Sequence, residues 1–410
     1  MTQPDVIVVG GGIGGLSAAF ALTRKGVNVR VLERSAEFAE VGAGLQLAPN
    51  CTRILSDYGL LDEAERLGVL PTSMVMKDAL DGTVLTSLDL KHLEHRYGSP
   101  YLVMHRSDLH GLFLRACRRA GVDLRTSQHV TEYENTESGA RVTLADGAEH
   151  TASLVIAADG LHSTARQRLV GDEPVNSAYV AYRGAVPIEK VRENHISETD
   201  VVVYIGPRCH FVQYPLRGGE MFNQVAVFES AKALRGEQDW GTPDELDAAF
   251  AHTTVNIQLG LPLMRRDRCW RMFDRDPIQT WVHGRIALLG DAAHPPLQYI
   301  AQGAIMAIED GYVLAEHLAA TGDPDRALAA YQAVRPEHCR RVLTTSRAWG
   351  NLWHLDGEQR DRRNQILRAR DPHDYSFTDW LYSTTALTPS QEPQMFTPIP
   401  LTALSPAPTP

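Results

Sequence analysis

Residues 6–19 read Val-Ile-Val-Val-Gly-Gly-Gly-Ile-Gly-Gly-Leu-Ser-Ala-Ala, and no other stretch limits the fold so strongly. A β-branched run, glycines at 10, 12 and 15, and then small residues predict a buried strand, a tight turn and a helix with an open N-terminus. Gly10 permits the turn, Gly12 lets the backbone approach a pyrophosphate, and Gly15 brings the helix close to its strand. Unpaired amides and the helix dipole then attract phosphates. A second strand, Val27 to Leu32, ends at Glu33, 18 residues after Gly15. A carboxylate there accepts hydrogen bonds from ribose hydroxyls. Structural βαβ units share the glycines, so the register of strand, helix and acid carries the expectation of a bound dinucleotide.

The 410 residues suffice for two domains, and 43% hydrophobic with 22% charged residues is an ordinary globular balance. A net charge of −10 argues against a nucleic-acid partner. No apolar run reaches the ~18–20 residues needed to cross a bilayer, and the N-terminal segment lacks the pattern of a signal peptide. The 5 cysteines are scattered, odd in number and without metal-type spacing, which predicts reduced thiols, no metal site and a cytoplasmic location.

Beyond Glu33, the segment 41–50 carries Gly42, Ala43 and Gly44, suited to backbone lying flat on a planar ligand or to a plain crossing loop; Pro49 sits where a helix can begin. Residues 72–90 predict a hairpin around Asp81-Gly82. Arg106 precedes a helix running to about Ala120, with Ser107 or Asp108 as its N-cap. Short strands follow at Val122–Leu124, His129–Glu134 and Ala140–Leu144, then Leu154–Ala157 ending in Asp159-Gly160. Antiparallel strands are expected at 179–186, 201–205, 210–214 and 224–228. An apolar strand returns at 285–289, ends in Gly290-Asp291, and is followed by Gln302-Gly303-Ala304 opening a helix to about Leu318. A long helix is predicted from Pro324 to about Trp353, and a Pro-, Thr- and Ser-rich strap beyond Ser383.

Three motifs in this order, Gly10-x-Gly12-x-x-Gly15 with Glu33, Asp159-Gly160, and Gly290-Asp291-Ala292-Ala293-His294-Pro295, resemble those of the single-component FAD-dependent aromatic hydroxylases, the group A flavoprotein monooxygenases. The resemblance covers about residues 5–350. It implies an α/β fold: a doubly wound Rossmann-type FAD-binding domain (1–70, 100–175 and 280–348), a β-sheet substrate domain (71–99 and 176–279) and a helical C-terminal part (349–410). It also implies one FAD, NADH as a transient co-substrate without a domain of its own, and a homodimer. Carried over by position, the FAD contacts are Gly12, Ile13, Gly14, Gly15, Glu33, Arg34, Ala43, Arg106, Val130, Asp159, Asp291, Gly303 and Ala304. Glu33 holds the adenosine ribose, Arg106 and Asp291 the diphosphate–ribityl region, Gly303 and Ala304 the pyrimidine edge, and the Val130 backbone the adenine.

The segments 206–219, 295–299, 349–357 and 378–382 resemble the branch of this family that converts 3-hydroxybenzoate and O2 to 2,5-dihydroxybenzoate (gentisate). Sister reactions on salicylate or 6-hydroxynicotinate, a non-catalytic flavin-binding sensor of aromatic acids, and a plain dehydrogenase stay open at this point. The implied chemistry is electrophilic substitution on an aromatic ring, which is faster when the phenol is ionised, so the site needs a base or proton relay. His210 and Tyr214, four residues apart on one strand, point to the same face. They are expected to bind the phenol oxygen, with Gln298 orienting the ring from the flavin side. For the carboxylate, Arg183 and Arg217 are candidates, and Gln46, on the loop by the flavin, is a further possible pocket residue.

Overall fold

The computed structural model describes residues 4–39, 42–194, 196–384 and Leu387. Val41 and, apart from Thr384 and Leu387, the expected Pro-rich strap beyond Ser383 lie outside the described residues. Strand Val6–Val9 pairs in parallel with Val29–Leu32 on one side and with Leu154–Ala157 on the other. Asp123–Arg125 and Ile286–Leu288 continue this sheet in parallel, and Val282–His283 closes one edge antiparallel. Every residue of Val6–Val9 and Leu154–Ala157 is buried, as unbroken apolar runs require in a covered parallel sheet. Helices Ile13–Arg24 and Gly303–Thr321 cross closely because Gly311 faces Ala18; a Cβ at 311 would lie 2.6 Å from the Ala18 Cα.

The helix expected after His105 starts two or three residues earlier than the expected caps imply. It spans Arg106–Ala120, and its N-cap is His105, not Ser107 or Asp108. The His105 ring accepts from the Ser107 amide, while the Asp108 carboxylate is drawn to Arg217 at 2.8 Å. Both short polar side chains are therefore occupied, and Arg106 is the first helical residue. An antiparallel meander of Val130–Thr136, Gly139–Leu144 and Glu149–Ala152 packs against the parallel sheet. Its last strand is polar and carries no apolar signal.

A second sheet has seven strands in the order 270–274, 175–187, 221–229, 209–216, 201–206, 73–78 and 84–89. The four strands expected to be antiparallel pair that way with one another, and the sheet has one parallel seam, where Val201–Gly206 meets Ser73–Asp78. The hairpin at Asp81-Gly82 forms as expected, with Gly82 at φ +76 and the Asp81 carboxylate accepting from the Thr83 amide. The helix Pro324–Trp353 begins with proline after the cap Asp323. Helix Gly357–Arg368 folds back over the second sheet, where Arg360 and Asn364 bond the buried Asp78, and Ser376–Tyr382 packs on the helix Pro49–Asp57.

Candidate active site

A cavity of about 460 Å³ lies where the glycine turn, the 290–304 segment and the second sheet converge. Gly12, Ile13, Gly14 and Gly15 form one end, and the helix they open has no side-chain cap. Two of the motif glycines are demanded by the fold. A Cβ on Gly10 would lie 2.2 Å from the Ala158 carbonyl oxygen, and one on Gly15 2.0 Å from that of Gly10. Gly12 differs: among the described residues, nothing lies within 4 Å of its would-be Cβ. This is an open cradle beside bare helix amides, and it fits a pyrophosphate. Gly303 and Ala304, at the uncapped start of the helix 303–321, also line the cavity, together with Arg106 and Asp291.

The remaining expected cofactor residues lie around this cavity without lining it. Glu33 accepts from the Gly11 amide at 2.7 Å and the Ser35 amide at 2.8 Å, so its carboxylate is fixed at the strand end. Gln128 donates its amide to the Glu33 carbonyl, which ties the segment leading into Val130 to the same edge. Arg34 is exposed, the Val130 side chain is buried, and the Ala43 carbonyl accepts from the Arg106 amide. Asp159 accepts from the Tyr133 hydroxyl at 3.0 Å, while its other oxygen, Oδ1, is buried without a partner among the described residues. The glycines of segment 42–44 have partners within the chain: a Cβ on Gly42 would meet the Arg106 side chain, and one on Gly44 the Tyr214 ring.

Behind the Gly290 turn lies a charged core that sequence reasoning missed. Asp310 accepts from the Gly290 amide at 2.9 Å, from His294 and from Arg335 Nε at 2.7 Å. Arg335 also pairs with Glu309 at 3.0 Å, and all three charged side chains are fully buried. Burial would raise both acids, but the His294 and Arg335 charges prevail and hold Asp310 at about 2; Arg335 does the same for Glu309. The Cys339 thiol and these groups offer a metal-like cluster, yet the Arg335 guanidinium already supplies the counter-charge.

At the other end of the cavity stand His210, Tyr214, Arg183 and Gln298. Strand Cys209–Leu216 carries His210, Val212 and Tyr214 on the cavity side, so the predicted shared face of His210 and Tyr214 exists. Burial pushes the His210 imidazole well below its usual range and the Tyr214 hydroxyl well above its own. Both are neutral near pH 7: one is a proton acceptor and the other a donor. Arg183 Nη2 donates to Gln298 Oε1 at 3.0 Å, and Arg183 Nε is buried with no partner among the described residues. Gln46 also lines the cavity and accepts from the Tyr101 hydroxyl at 2.7 Å. Arg217 does not line it; its guanidinium is spent on Asp108. His354 Nε2 approaches His210 Nδ1 at 2.9 Å, a contact that no spacing in the sequence signals.

Comparison with known proteins agrees with this geometry. Residues 3–346 match the family described as FAD binding domain. The chain is 37% identical over 381 residues to the 3-hydroxybenzoate 6-hydroxylase of Polaromonas naphthalenivorans, covering 92% of this chain and 95% of that protein. It is 35% identical to the 3-amino-4-hydroxybenzoate 2-monooxygenase PtmB3 of Streptomyces platensis, with 94% and 97% covered. Among solved structures, Klebsiella pneumoniae HpxO complexed with FAD and uric acid superposes with a TM-score of 0.81 at 27% identity, covering 93% of this chain and 96% of that one. Fold, glycine cradle and relatives converge: the chain belongs to the FAD-binding-domain family and is a flavoprotein monooxygenase.

Proposed function

We propose that the protein hydroxylates 3-hydroxybenzoate at the carbon para to its hydroxyl, giving 2,5-dihydroxybenzoate, with NADH as reductant and O2 as the oxygen source. The observation that carries this reading is the pairing of two chemistries in one cavity. A neutral imidazole and a neutral phenol, His210 and Tyr214, share a strand face, while a guanidinium with an unpartnered Nε, Arg183, stands beside them. A hydroxybenzoate presents the matching groups, and both relatives named above are described as acting on hydroxybenzoates.

Bound FAD would supply the redox chemistry that activates O2 for transfer of one of its oxygen atoms. Gly12, Ile13, Gly14 and Gly15 would hold its pyrophosphate, with Arg106 and Asp291 on the diphosphate–ribityl region. Glu33 would take the adenosine ribose, with Arg34 beside it and the Val130 backbone towards the adenine. Ala43 would flank the flavin, and Gly303 and Ala304 would place helix amides at its pyrimidine edge, where negative charge gathers on reduction. Asp159, with its unpartnered oxygen, stands between two cavity-lining residues, Ala158 and Gly160, and completes the set.

On the substrate side, His210 accepts the phenol proton and Tyr214 donates a hydrogen bond to the oxygen left behind. The phenolate then directs electron density to its para carbon, the site of oxygen insertion. Arg183 binds the carboxylate through Nε, and its Nη2 fixes the amide of Gln298, whose NH2 is left to donate to the ring substituent. The test is NADH oxidation by the FAD-loaded protein with 3-hydroxybenzoate, salicylate, 3-amino-4-hydroxybenzoate and 6-hydroxynicotinate. Rapid, product-coupled oxidation with the first supports the reading. Preference for another acid moves it to a sister reaction, and binding without an oxygenated product makes the protein a sensor.

A further inference from the structure

His210 is 1% exposed, and rings wall it in: Trp353 edge-on at 5.1 Å, Tyr299 at 5.4 Å and His354 nearly parallel at 5.2 Å and 20°. A base so enclosed accepts a proton from a ligand only if the proton can move on, because a buried imidazolium without a counter-charge is costly. The hydrogen bond from its Nδ1 to His354 Nε2 leads outward, since His354 is partly exposed.

We propose that His354 is the second member of a two-imidazole proton line, carrying the substrate's phenol proton from His210 to solvent. The proposal rests on the reading above that His210 meets the phenol. The phenol O–H bond breaks as its proton joins His210 Nε2. The proton on His210 Nδ1 passes to His354 Nε2, and His354 releases its Nδ1 proton to water. No electrons move, and one proton leaves the site. When the hydroxylated ring regains aromaticity, it loses a proton at carbon and needs one at oxygen, and the same line run backwards returns it and restores both tautomers.

The surroundings suit the role. His354 follows the long helix, whose last carbonyls, of Leu352 and Trp353, accept from the buried Arg363 guanidinium at 3.1 and 2.7 Å. The His354 amide donates to Gly350, and its carbonyl accepts from the Arg208 amide, so the backbone is pinned on both sides. The ring stacks on Tyr179 at 4.6 Å and 14°. The titratable and charged groups facing it are His210, Tyr179, Tyr299 and Arg363, with Glu229 and Arg208 beyond Tyr179. Burial and the Arg363 charge hold the His354 imidazole at about 3, so it hands a proton on and does not store it.

The test uses FAD-loaded protein with His354→Asn, which keeps a polar group without a second transfer site, and His354→Phe, which keeps the stack. Stopped-flow absorbance follows ionisation of bound 3-hydroxybenzoate from pH 6 to 9, with a pH dye reading proton release. The expected result is fast ionisation in the unmodified protein. In both variants it slows about tenfold or more at pH 7, recovers as pH rises, and leaves affinity within about threefold. Added imidazole restores the rate in His354→Ala. Unchanged rates, or a loss equal at every pH and accompanied by loss of affinity, overturn the proposal. Product analysis separates the two readings. Gentisate with unaltered ionisation in the variants sinks only the proton line. His354-dependent ionisation without hydroxylated product sinks only the hydroxylase.

Discussion

The guanidinium of Arg183 meets the side-chain carbonyl of Gln298 at 3.0 Å across the cavity. One residue belongs to the 13-residue strand Val175–Pro187 and the other to the single turn Gln298–Ile300, so the bond fastens the second sheet to the loop beside the glycine cradle. Trp270 lies 5.7 Å from the same guanidinium. With one edge fixed and Nε unpartnered, Arg183 is ready for an anion. Arg183→Met should weaken 3-hydroxybenzoate binding by about 2–4 kcal/mol, roughly 30- to 1000-fold, because the carboxylate loses its charged partner. FAD content should not change. Titration of the flavin spectrum with the substrate, and with phenol as a carboxylate-free control, checks this; phenol binding should be unaffected.

Gly12 and Gly15 look alike in sequence but should fail differently. A side chain at 12 projects into open space, so Gly12→Val should leave a folded, cooperatively unfolding protein that no longer retains FAD. A Cβ at 15 meets the Gly10 carbonyl at 2.0 Å, so Gly15→Ala should lower stability itself. Flavin absorbance of purified protein, paired with thermal unfolding, distinguishes the two outcomes.

Asp310 balances two buried cations while holding the Gly290 amide. Asp310→Asn leaves Arg335 and His294 under-compensated and should cost about 3–5 kcal/mol, read as a lowered denaturant midpoint with an unchanged slope. His294, whose pKa is raised well above 6.5, stabilises the fold below that pH and loses the contribution as pH rises.

His210 and His354 run the other way. Their folded pKa values lie below the ordinary 6.5, so their contribution is present above that pH and is lost as pH falls towards the folded values. Between pH 6.5 and 5, stability should fall by about 3 kcal/mol from this pair, roughly 1.5 kcal/mol from each imidazole. The carboxylates of Glu309 and Asp310, lowered to about 2, extend the loss only below about pH 4–5. Denaturation curves at pH 6.5 and 5 check this, and His354→Phe should flatten the difference.

Much of the frame can be read from local pattern. The strand Leu154–Ala157 and the helix Pro324–Trp353 coincide with their expected bounds, and Pro49 opens its helix, because apolar runs and caps act over a few residues. The shared cavity face of His210 and Tyr214 follows from the two-residue period of a strand. What depends on distant pairing is not legible. His354 and His210 are 144 residues apart, Arg183 and Gln298 115, and neither pair lies within one element. The parallel seam between Val201–Gly206 and Ser73–Asp78 is equally non-local, since the apolar alternation of a strand does not state its partner's direction. The cap of the helix 106–120 escapes local reading because Asp108 answers to Arg217, 109 residues away.

The central claim is tested most directly by identifying what the protein makes from 3-hydroxybenzoate with FAD, NADH and air. The account predicts 2,5-dihydroxybenzoate, formed in step with NADH consumed and strongly reduced in His210→Asn. A 2,3- or 3,4-dihydroxy product, or NADH consumed with no hydroxylated ring at all, would contradict it.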